Sequence, residues 1–336
     1  MQKQLVIIGI VAILVCVFIS GCSQQRSGNN APLDPIIQRA EPYLSKIETE
    51  NITLRSYANN IIKNISPNDK EALVNAIYRY VVENYNYVNN SQQSEFIQSP
   101  QETIQVKGGD CEDLAILLDS LLGNIGIKTY LVLTDTHCYA LASGINATKL
   151  WDYVEPSLIA QVEKDSGVNI RQWYNETFVL QGNYNTYYGG NGSSFNPHID
   201  YMNISYDITS NQPFHFYVVP SRNDFNLLSD RQPFTHYPAF ERPNALSIKG
   251  IIPRLNRTGG IVLANTNTQN ATITVQLLFY FHPSFHQNIT SYKIKGVNCV
   301  VLDATAGVYG YPGYDSGLVG EKIAIDPISK EYFNLQ

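Results

Sequence analysis

The hydrophobic period of this chain changes partway along its length, and that change limits the folds open to it. Near the N-terminal third, Leu73, Ile77 and Val81 fall four apart, with Val74 and Tyr78 beside them. Such spacing marks one buried stripe of a helix. Ser66, Pro67, Asp69 and Glu71 precede it, and they suit a cap, a first helical position and the positive helix end. A second stripe runs through Leu114, Ala115, Leu117, Leu118, Leu121 and Leu122, and Gly123 and Gly126 stop it. Far downstream, Ile273, Val275, Leu277, Phe279 and Phe281 alternate with Thr272, Thr274, Gln276, Leu278 and Tyr280. That is the period of a half-buried strand. Neither an all-helical nor an all-β fold accommodates both patterns, so the expectation is α+β.

The 336 residues are enough for two domains. After the second helix, strands are expected at 129–133, 137–142 and 150–154. The stretch 181–200 is rich in Gly, Asn, Tyr and Ser and has no usable period, so it reads as a linker or long loop. From 201 to 336, strand candidates at 214–219, 245–252, 261–264 and 297–302 join the alternating segment in an expected β-sandwich. The expected layout is therefore a helix-and-sheet domain at 35–180 and an all-β domain at 201–336.

The N-terminus has the form of an export signal. Lys3 is followed by an apolar run from Leu5 to Ile19, then Ser20, Gly21 and Cys22. The ending Ile19-Ser20-Gly21-Cys22 resembles a lipobox, which implies a signal peptide at 1–21 and lipid on Cys22. Residues 22–34 would be a tether, with the remainder held on the outer face of the cell membrane. Asn-x-Ser/Thr sequons from Asn51 to Asn288 fit an exported, glycosylated protein. The formal net charge of -6 argues against nucleic acid, which needs clustered Lys and Arg.

Beyond Cys22 the cysteines are Cys111, Cys138 and Cys299, too few for a disulfide framework. Cys111 opens the second helix behind Gly108, Gly109 and Asp110. Backbone N–H groups at a helix start favour a thiolate and can hold an oxyanion. Such a nucleophile needs a base and an orienter for the base. His137 is the candidate base. Glu155 on the next expected strand is the candidate orienter, and Asp152 is its rival, because alternation puts the two on opposite faces. His282 and His286 lack acidic or Cys partners and read as a solvated turn rather than a metal pair.

Gly109-Asp110-Cys111-Glu112-Asp113, opening a long apolar helix after Gln98-Ser99-Pro100-Gln101-Glu102-Thr103, resembles the nucleophile region of the transglutaminase-like (papain-like) superfamily. His137 before an aromatic strand, and Trp151 followed by Glu155-Pro156-Ser157 in place of Asp-Pro-Thr, resemble its base and acid segments. The resemblance spans about Asn68 to Ser157. It implies Cys111 as nucleophile, His137 as base and Glu155 as acid, acting on peptide or glutamine amides through a thioester, with no metal or organic cofactor. The alternative is a non-catalytic surface binding or assembly module that uses the same fold as scaffold.

Overall fold

The computed structural model describes residues 34–89, 96–195, 197–285, 288–314 and 320–336. The expected signal peptide, the Cys22 anchor, the tether up to residue 33 and His286 lie outside the described residues. Among the described residues, no helix is long and apolar enough to cross a membrane. The chain divides into two compact units, Met1–Glu41 and Pro42–Gln336. The described part of the first begins a helix, α1 (Pro35–Leu44).

The second unit is α+β. It opens with α2 (Ile52–Ile61), α3 (Lys70–Asn84), the short strand β1 (Asn86–Tyr87), α4 (Pro100–Val106), β2 (Gly108–Gly109) and α5 (Cys111–Asn124). Strands β3 (Thr129–Leu133) and β4 (Cys138–Ser143), then the 20-residue α6 (Ala147–Ser166), follow. A run of strands comes next: β5 (Arg171–Leu180), β6 (Asn185–Gly189), β7 (Ile199–Val219), β8 (Arg242–Asn256), β9 (Gly260–Ala264) and β10 (Ala271–Pro283). Helix α7 (Arg222–Ser229) interrupts the run after β7. The chain closes with β11 (Ser291–Ile294), β12 (Val297–Leu302), β13 (Lys322–Ile325) and β14 (Tyr332–Leu335).

Among the described residues, the strands after β2 form two six-stranded sheets. The first has the order β11-β12-β4-β3-β13-β14, so its centre comes from residues before α6 and its flanks from the C-terminal strands. The second runs β5-β10-β7-β9-β6, with β8 paired to β7. Both are antiparallel. The all-β part is therefore an insertion at 171–283, not a domain running from 201 to 336. The expected linker also fails, because residues 185–189 pair with β9 and Phe195 is buried. Polar Asn185 and Thr186 beside Tyr187 and Tyr188 gave no clean period, yet their backbone groups complete the sheet.

Three cores among the described residues follow from this layering. Leu73, Ile77 and Val81 of α3 meet Leu114, Leu117, Leu118 and Leu121 of α5 and the inner residues of β4 and β12. Ala140 and Ala142 sit on that face, small enough for α5 to lie close to the sheet. Tyr130, Val132, Tyr139, Leu141, Cys299 and Val301 form a separate core on the opposite face. The inserted sheet folds over its own interior of Ile273, Val275, Leu277, Phe279 and Phe281 with residues from every other strand of the insertion. Fully burying a Leu or Phe side chain is worth about 1.5–3 kcal/mol, so each layer is stabilised by its own stripe.

Two local differences from expectation have simple causes. Helix α3 starts at Lys70 rather than Ser66, because Asp69 makes the cap: its side chain accepts from the Ala72 N–H at 3.3 Å. The stretch 150–154 is helix, not strand. Asn146 caps it by accepting from Lys149 N at 3.1 Å, and Gly167 ends it in the left-handed conformation. Leu150, Val154 and Leu158 are its buried stripe, spaced four apart.

Candidate active site

The site is assembled at the start of α5. Two short-range devices hold the chain there. Helix α4 ends at Lys107 in the left-handed region, and β2 then pairs in parallel with β1. Asn86 N donates to Lys107 O at 3.0 Å and Val88 N to Gly109 O at 2.9 Å. Next, Asp110 and Asp113 form a reciprocal capping box, each carboxylate accepting from the other's N–H at 3.3 Å. Asp113 also accepts from Gln98 N and Gln98 Nε2 at 2.8 and 2.9 Å, which ties the preceding loop to the helix. A Cβ on Gly109 would stand 2.5 Å from Asp113 Cβ, so glycine is required for the box to close.

These contacts leave Cys111 as the first residue of the helix, partly exposed and unbridged. Its sulfur takes a hydrogen bond from the backbone N–H of Cys138, at the start of β4. Its thiol donates to Glu112 Oε2 at 3.0 Å. Burial, the Glu112 hydrogen bond and the Glu112 charge together push the thiol up to about 12. The resting group is thus a protonated thiol. The helix start favours the thiolate, but here burial and the adjacent carboxylate outweigh it.

Next to Cys138 is His137. A tight turn places it, with His137 N donating to Thr134 Oγ1 at 2.9 Å and Thr134 N donating to His137 O at 2.9 Å. Its Nε2 lies 3.2 Å from Asp303 Oδ2. Asp303 follows β12, whose Leu302 is opposite Ala140 of β4, so the chain leaves β12 beside the first residues of β4. The Asp303 side chain is 1% exposed and caps the short 3-10 turn at Ala304–Ala306. Thr305 N and Thr305 Oγ1 donate to its Oδ1 at 3.0 and 2.7 Å. Burial would raise this carboxyl, but the bonds from His137 and Thr305 outweigh it and hold it below the usual range. An ionised carboxylate only accepts, so Nε2 carries the proton and Nδ1 is left as the acceptor nitrogen of the ring.

The expected orienter is not at this place. Glu155 and Asp152 both sit on α6, whereas Asp303 supplies the carboxylate that the imidazole meets. Trp151, read as part of the acid segment, instead packs edge-on against Tyr311 with ring centres 5.6 Å apart. Asp303-Ala304-Thr305, at the end of the strand expected at 297–302, matches an Asp-Pro-Thr ending better than Glu155-Pro156-Ser157 does. Tyr87 also went unnoticed in the sequence. Burial and then the charges of Cys111, Asp110, Glu112 and Asp303 raise its hydroxyl, so a half-exposed phenol borders the site.

Asp110 carries a pH signature. Burial, the Asp113 charge and the Glu112 charge push its carboxyl up to about 7. A carboxyl whose folded value exceeds its unfolded one favours folding at low pH. That contribution is lost as pH climbs from about 4 to about 7. Asp110→Asn keeps the capping oxygen and removes the charge. We expect it to gain about 1–3 kcal/mol over the parent at pH 8 and nothing at pH 4. Urea unfolding at the two pH values checks this, and equal differences at both would refute it.

A thiol on a helix tip, and an imidazole–carboxylate pair one residue from the Cys138 N–H, are the kinds of group that nucleophilic acyl transfer uses. Residues 55–146 match the family described as the transglutaminase-like superfamily, so a transglutaminase-like domain lies there, carrying both Cys111 and His137. Among solved structures the chain is similar to Legionella pneumophila LapG (calcium-bound), at 18% identity and a TM-score of 0.20, over 32% of this chain and 64% of that one. No curated protein sequence matches.

Proposed function

We propose that this protein is a cysteine hydrolase or acyltransferase that acts on peptide or glutamine amides, with Cys111 as nucleophile, His137 as base and Asp303 as orienter. The observation that carries the reading is the 3.2 Å contact of His137 Nε2 with the buried Asp303 carboxylate, one residue from the N–H that meets the Cys111 sulfur. His137 Nδ1 takes the thiol proton, and sulfur attacks the amide carbon. Backbone N–H groups at the start of α5 hold the resulting oxyanion. The imidazolium protonates the leaving amine, giving a thioester. Water, deprotonated by the same imidazole, then releases the acid and restores the thiol. Hydrolysis is the first choice, and an amine in place of water would give transamidation. The substrate is a protein or peptide at the cell surface, and the enzyme is anchored on the outer face of the membrane through lipid on Cys22.

One observation favours a second reading, a non-catalytic binding or assembly module: burial, with the Glu112 contact, keeps the resting thiol protonated. Timed alkylation with iodoacetamide, mapped by mass spectrometry, separates the two. Catalysis predicts that Cys111 reacts at least about tenfold faster than the buried Cys138 and Cys299, and that His137→Ala removes the difference. Equal labelling of all three thiols would leave only the module.

A further inference from the structure

The outer face of the inserted sheet carries a row of side chains that the proposed chemistry does not use. Arg254 of β8 lies over the Tyr201 ring at 4.3 Å. Tyr201 of β7 stacks on His282 of β10, with ring centres 4.5 Å apart at 20°. His282 meets Tyr280 at 4.3 Å, and Arg171 of β5 lies over Tyr280 at 5.1 Å. The strand register makes the row, since Tyr201 is opposite His282 and Tyr280 is opposite Arg171. It crosses three strand spacings, about 14 Å.

The row is held in shape. Asn203 places Nδ2 2.9 Å from His282 Nε2, and its Oδ1 accepts from Arg254 N at 2.8 Å. Arg254 adopts φ of +51°, beside a register shift between β7 and β8. A bulky residue held in that region is a cost that clusters at binding sites.

Beyond Arg171 the face opens into a groove of about 940 Å³ between the β5 and β6 edges, near the upper end of small-molecule sites. Trp173, 72% exposed, stands on its near wall. On the far wall Arg222 lies 5.8 Å from the centre of the Tyr187 ring, which in turn stacks on Phe225. No Asp or Glu lines the groove among the described residues. Nor does Arg171, Arg222 or Arg254 make an ion pair among them. Three unpaired guanidiniums on a chain of net charge -6 mark a site for anions.

We propose that this row and groove bind a saccharide chain bearing carboxylate groups. Guanidinium forks pair bidentately with carboxylates. Flat aromatic rings offer negative π faces to the C–H face of a pyranose. The rest of the lining is mainly glycine, amide and hydroxyl, with Val168 as the one aliphatic side chain among the described residues. That suits hydroxyl-rich rings better than peptide side chains, which need apolar pockets.

The test uses the full chain and three probes: oligogalacturonate, its methyl ester, and poly-L-glutamate. Binding is read by Trp fluorescence and calorimetry. Oligogalacturonate should quench Trp173, bind at least about tenfold tighter than the ester, and weaken with added salt. Trp173→Ala and the double variant Arg171→Gln/Arg254→Gln should each weaken it about 10- to 100-fold. Trp173→Ala should leave the Cys111 alkylation rate unchanged, which shows an intact fold and separates this proposal from the catalytic one. Equal binding of acid and ester, absence of binding, or variants that bind like the parent would overturn it. Tighter binding of poly-L-glutamate would assign the face to acidic peptides instead.

Discussion

Asp303→Asn is expected to lower amide cleavage by about 10²- to 10⁴-fold, the scale seen when the acid behind a catalytic imidazole is neutralised. Asparagine has the same size and keeps an oxygen for Thr305, so the 3-10 turn survives. The charge facing His137 Nε2 is lost. The imidazole is then free to place its proton on Nδ1, the wrong nitrogen for accepting one from sulfur. Glu155→Gln, on α6, should change the rate by less than about twofold, within the range of a surface substitution. The paired assay, a fluorogenic glutamine amide together with Cys111 alkylation, decides between the two acids. If Glu155→Gln abolished turnover while Asp303→Asn did not, the assignment of the orienter would be wrong.

Glu112→Gln should act in the opposite direction. In the parent, burial first, then the thiol's hydrogen bond to the Glu112 carboxylate and that carboxylate's charge, raise the sulfur to about 12. The amide removes the repulsion and weakens the acceptor. The thiolate fraction at neutral pH then rises, and alkylation of Cys111 at pH 7.5 should quicken about tenfold, equivalent to one pH unit. The alkylation rate plotted against pH should shift towards acid by the same amount. An unchanged profile would mean that Glu112 does not hold the resting thiol.

The position of Cys111 at a helix start was legible in the sequence because the capping that fixes it is local. Gly109, Asp110 and Asp113 lie within four residues of one another, and their capping box needs nothing from the rest of the chain. The strand expected at 129–133 has those bounds in the structure, as does the one at 297–302. The acid was misread for two reasons. Trp151-Asp152-Tyr153-Val154-Glu155-Pro156 looks like a strand end, while the four-residue spacing of Leu150, Val154 and Leu158 is helical, and packing on α3 settled it. The true partner of His137 is 166 positions away, and no local pattern reports a contact across an inserted sheet. The same distance explains the mistaken domain layout. Strands β11 to β14 look like a continuation of the insertion until their hydrogen bonds return them to β3 and β4.

That return has a consequence in time. A chain made from its N-terminus presents the sulfur and the imidazole long before the carboxylate exists, and the sheet whose β4 follows His137 gains its flanking strands last. Pairings between such distant segments form slowly. An unfinished polypeptide would thus hold a thiol without the carboxylate that orients its proposed base, and the chemistry proposed for it would wait until residue 303 had arrived and docked.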